Sequence, residues 1–75
     1  MSPNFWHLEP LLRRVARARG IPPHVIVSGG HFPYYVAARR SFVRAAVTRG
    51  FSYSELGRFL HLHHTSVMSL AGRLR

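Results

Sequence analysis

The sequence predicts an all-α fold, a small helical bundle of four to five helices that ends in a helix-turn-helix. Three observations predict it. Apolar residues recur at three- and four-residue spacing along every long segment, and nothing alternates with period two for long enough to make a sheet. Proline and glycine fall between those segments, where helices start and stop. Two short apolar segments follow one another late in the chain, the first opened by a capping pattern. A chain of 75 residues has room for one domain, and 47% hydrophobic content suits a folded domain rather than a disordered tail.

Residues 1–8 read as an N-terminal extension, with Phe5 and Trp6 tucked against a domain that spans 9–75. The first helix is expected to begin near Pro10, since the first helical position needs no N–H, and to stop at Gly20. Leu11, Leu12, Val15 and Ala18 form its apolar face, with Arg13, Arg14 and Arg17 elsewhere on the wheel. The stretch "PPHVI" can make one short helical turn after Pro22, and "SGGHFP" is a flexible break. The second long helix runs from Pro33 to Arg49. Its expected buried side is Tyr35, Val36, Phe42, Val43, Ala46 and Val47, with Arg40, Ser41, Arg44 and Thr48 opposite, and Gly50 ends it. Ser52 and Glu55 then make the S-x-x-E capping pattern ahead of Leu56, Phe59 and Leu60. A last helix, roughly His64 to Leu74, is expected to bury Val67, Leu70, Ala71 and Leu74.

The join between the last two helices carries the functional signal. Gly57 sits inside the first of them, where glycine costs about 1 kcal/mol against alanine. Close approach of the second helix accounts for it. His61 falls where a tight turn needs positive φ, a region histidine visits more readily than most residues. Val67 then closes the small core between the helices. In a helix-turn-helix, the second helix enters the major groove with its N-terminal residues at the base edges. Here those residues are His63, His64, Thr65, Ser66 and Ser69, and the threonine methyl can pack on a thymine methyl.

Charge points the same way. Eleven arginines face two carboxylates, for a formal +9, and so unbalanced a chain repels itself unless it meets a polyanion. Arg39, Arg40, Arg44 and Arg58 are the candidate phosphate contacts. For Arg13, Arg14 and Arg17 a solvated face is the simpler reading, and Arg73 and Arg75 offset a helix dipole.

The stretch "FSYSELGRFLHLHHTSVMSLAGRLR" resembles the C-terminal helix-turn-helix of the bacterial replication initiator DnaA. It is equally similar to the related domain on some transposases and phage proteins. The family's first helix reads S-x-x-E-I-G-x-x-[FL], matched by Ser52, Glu55, Leu56, Gly57 and Leu60. Its second opens with R-D-H-[ST]-T-V, matched by His64, Thr65, Ser66 and Val67, with Leu62 and His63 in place of the Arg-Asp pair. Upstream, "VARARGIPPHVIVS" fits the family's opening helices, so the resemblance covers 9–75. It implies a double-stranded DNA partner and base reading by His64, Thr65 and Ser66. It also implies a minor-groove loop at "SGGHFP", where His31 stands in for the family's basic residues.

Other chemistry has less to stand on. His61, His63 and His64 offer imidazoles, but adjacent histidines rarely converge on one ion and no carboxylate or thiolate is near, so no metal or other cofactor is expected. The two carboxylates are too few for paired acid–base work, and Glu55 is engaged in capping, so no enzyme is expected. Phe5, Trp6, Tyr34, Tyr35, Phe51 and Tyr53 form no stacking platform and read as core. No apolar run is long enough for a membrane span, and "MSPNFWHLEP" lacks the features of a signal peptide. With no cysteine, the expected place is the cytoplasm, at the nucleoid. Histidine changes charge near neutral pH, so DNA binding is expected to tighten as pH falls. One motif gives a short footprint, which calls for a homodimer or a larger host protein. The expected role is regulation, replication control or transposition. The alternative is a cationic protein- or membrane-interaction module without DNA specificity.

Overall fold

In a computed structural model, residues 5–28 and 30–72 are described, with Phe5, Trp6 and Ser28 described by backbone alone. The described chain is all-helical. Its elements are α1 (Phe5–Arg19), α2 (His24–Ser28), α3 (Pro33–Thr48), α4 (Tyr53–Leu60) and α5 (His64–Leu70). α3 is the central helix. α1 and α2 pack on it, α4 and α5 pack on each other and on it, and α1 has at most slight contact with α4 or α5.

One apolar core joins all five helices. Leu8, Leu11, Leu12 and Ala16 come from α1 and Ile26 from α2. Ala38, Phe42, Val43 and Ala46 come from α3, Leu56 and Leu60 from α4, and Val67 from α5. Seven of the larger side chains, Phe42 and Leu56 among them, are fully buried. Each contributes about 1.5–3 kcal/mol of transfer free energy. Phe42 meets Phe59 with ring centroids 5.8 Å apart, which fastens α4 to α3.

α1 starts earlier than expected, at Phe5, so Pro10 lies inside the helix and residues 5–8 belong to it rather than to an extension. The reason is Leu8, which is wholly buried. Its burial, about 2 kcal/mol, offsets much of the roughly 3 kcal/mol cost of an internal proline. Ala16, not Ala18, completes the inner face, and Ala18 is exposed. The side chains of Phe5 and Trp6 lie outside the described residues.

On α3, Phe42, Val43 and Ala46 are buried as expected, whereas Tyr35, Val36 and Val47 are only half-buried. Ala38 and Arg39 are the unexpected inner residues. Tyr34, expected in the core, is 49% exposed, and its hydroxyl donates to Arg19 O at the end of α1. Arg19 Nη2 in turn donates to Ser41 Oγ at 2.6 Å, a second tie between α1 and α3. Phe51 and Tyr53 pack against the core, half-buried. α5 is shorter than expected. It is capped at Ala71 and followed by Gly72 at φ +77°, and Leu74 lies outside the described residues.

Candidate nucleic-acid interface

The α4 start is built as its sequence reads. Ser52 Oγ accepts from Glu55 N at 3.0 Å, and Ser52 N donates to Glu55 Oε1 at 2.9 Å. This reciprocal pair satisfies two amides that the helix itself leaves unpaired. At the other end, His61 takes the left-handed conformation, φ 58° and ψ 42°. It is the one non-glycine residue with positive φ among those described. That conformation reverses the chain tightly enough for Leu62 N to reach Gly57 O at 2.8 Å.

A side chain at Gly57 would collide with the turn. A Cβ built there would lie 2.6 Å from Leu62 O and 3.5 Å from His64 N. The nearest obstruction is therefore the turn's own carbonyl, with the start of α5 just behind. Val67, fully buried, fills the angle between α4 and α5.

α5 opens with a cap that its sequence does not advertise. His63 is extended (φ −67°, ψ 149°), and its Nδ1 accepts from Thr65 N at 3.3 Å. The same nitrogen is 2.9 Å from Thr65 Oγ1. Histidine here takes the place usually held by Ser, Thr, Asp or Asn. The His63 and His64 rings lie against each other, centroids 4.3 Å apart and tilted 33°.

Around this turn the structure brings Arg58, His61, His63 and His64 together. With Ser54, Gly57 and Leu62 they line one open depression, and no carboxylate is among its lining residues. His64, Thr65, Ser66 and Ser69 are exposed along α5. Ser54 is the residue that sequence reading missed. Its position one helical turn before Arg58 is the signal that could have found it. Among the described residues no group of three or more His, Cys, Asp or Glu is placed to hold a metal ion.

The four arginines proposed as phosphate contacts divide. Arg58 lines the depression. Arg44 is exposed and reaches the far end of α5, where a Cβ on Gly72 would be 3.3 Å from its Nη2. Arg40 is exposed one turn earlier on α3. Arg39 is different, with 8% of its surface exposed. Its Nε donates to Ile26 O at 2.6 Å, and its Nη2 to Gly30 O at 3.2 Å and Val25 O at 3.3 Å. Desolvation pushes its pKa down from the ordinary arginine value. Its guanidinium holds the C-terminal end of α2 and the following loop, which removes it from the surface cations. His31 is exposed in that loop, outside the depression at the turn. Gly29 lies outside the described residues.

No helix among the described residues is long and apolar enough to cross a membrane. No protein-family model, curated protein or solved structure matches the chain significantly.

Proposed function

We propose that this protein is a DnaA-C-terminal-like domain that binds double-stranded DNA with a sequence preference. The observation that carries the reading is the turn between α4 and α5, lined by Arg58 and three imidazoles with no carboxylate, and the exposed start of α5 beside it. Arg40, Arg44 and Arg58 neutralise phosphates on either side of α5, while His63, His64, Thr65, Ser66 and Ser69 face base edges in the major groove. His64 and Thr65, unlike Gly57 and Val67, are exposed outside the core, and their one shared neighbour is His63 at the start of α5. His31 belongs to a loop whose role is a minor-groove contact. The setting for such a domain is the nucleoid, in regulation, replication control or transposition.

The test is selection from a random-sequence duplex pool at about 0.15 M salt, with wild type and His64→Ala in parallel. Wild type should enrich a motif. His64→Ala should lose discrimination between sequences by more than it loses affinity for unselected duplex. Equal losses on both counts would remove His64 from base reading, and failure of wild type to retain any duplex would sink the DNA reading itself.

A further inference from the structure

The exposed arginines do not all lie near α5. Arg13, Arg14 and Arg17 are exposed on α1, a helix whose opposite side, Leu8, Leu11, Leu12 and Ala16, is packed into the core. α1 rests on α3, and α3 in turn carries α4 and α5. A helix is about 10 Å across, wider than the roughly 8 Å over which charges are felt at physiological salt. α1 makes at most slight contact with α5, so its arginines form a charged patch of their own, separate from the α5 surface.

A solvated face does not account for them well. Arg13 and Arg17 are four residues apart on one helix, a like-charge spacing that costs the helix stability. Arg17 and Arg19 lie in the last turn, where they complement the helix dipole, but Arg13 and Arg14 are too early in the helix for that. Glu9 is the one carboxylate on α1 and can serve at most one neighbour four residues on. A surface of this composition is relieved by a polyanion.

We infer that α1 carries a second phosphate-binding face, and that the protein holds two duplex segments at once, one on α5 and one across Arg13, Arg14 and Arg17. The inference rests on the DNA-binding reading of α5. The longest extent of the molecule is 30 Å, which bounds the distance between the two bound duplexes. Contact on the α1 side is with phosphates, which arginines hold without reading sequence.

The experiment tethers one duplex to beads, adds the full chain, and then offers a labelled second duplex in solution. Wild type should be retained on the beads and should recover the label. The triple variant Arg13→Gln, Arg14→Gln, Arg17→Gln replaces exposed residues with a good helix former. It should stay on the beads but recover no more label than beads without protein. The triple lysine variant, which keeps the charge, should restore recovery. Recovery by the glutamine variant equal to wild type would overturn the inference and assign any bridging to self-association. So would retention of wild type without recovery of label, or bridging lost equally in the lysine variant. Binding of wild type to anionic vesicles but to no duplex would instead overturn the reading of α5 on which the inference depends.

Discussion

Gly57 and His61 set the geometry of the turn by opposite means. Gly57 lacks an atom that would collide with the carbonyl of Leu62, and His61 accepts a backbone conformation that most side chains avoid. On helix propensity alone Gly57→Ala would stabilise α4 by about 1 kcal/mol. The 2.6 Å approach to a backbone oxygen outweighs that, because only opening the turn can relieve it. We expect a net loss of about 1–2 kcal/mol, read as a lower urea midpoint, with overpacking the dominant effect. An unchanged or higher midpoint would show that the turn yields. Both residues were legible in the sequence, since each breaks a local preference in a way only a tight helix–helix join explains. Arg39 was not legible. Its spacing on α3 does not distinguish it from Arg40, and only the carbonyls at the end of α2 reveal that one arginine turns inward while its neighbour stays in solvent.

At the scale of elements, α4 was fully readable because its capping box is written in the residues themselves, Ser52 and Glu55. α3 was readable over Phe42, Val43 and Ala46 and less so at its start, where half-buried Tyr35 and Val36 had been expected inside. α1 was misread at one end because proline usually opens a helix, and local preference cannot register the burial of Leu8. The α5 cap was hidden for a similar reason, since histidine is seldom an N-cap. A pair of substitutions separates that capping role from any contact with DNA. His63→Ala should lower stability by about 0.5–1 kcal/mol, whereas His63→Asn, which keeps an acceptor, should hold it near wild type. Urea denaturation of both variants checks this. If DNA discrimination then falls in the alanine variant alone, the residue acts through the helix start. If it falls in both, the imidazole itself is read.

For the molecule as a whole, charge is the dominant variable. A formal +9 on 75 residues, with Arg39 drawn inside and Arg13, Arg14, Arg17, Arg40, Arg44, Arg49 and Arg58 exposed, means mutual repulsion over the surface. Salt should therefore act in opposite directions on folding and binding. Screening should raise the thermal midpoint of the free protein as salt increases. Over 50–200 mM the affinity for duplex DNA should fall on the order of a thousandfold, if about six phosphates are engaged. Thermal melts and binding titrations across one salt series would check both. A midpoint that falls with salt would show that attractive pairs outweigh repulsion in the folded state. A flat binding curve would remove phosphate contact as the basis of affinity.

The bond from Thr65 N to His63 Nδ1 settles more than where α5 begins. A nitrogen that accepts a backbone hydrogen bond carries no proton of its own, so in the neutral ring the proton resides on Nε2. The cap therefore favours one tautomer, and in that tautomer the ring's remaining polar atom is a donor. Whatever meets that edge of His63 must offer a lone pair: purine N7, guanine O6 or thymine O4 qualifies, and the amino groups of adenine and cytosine do not.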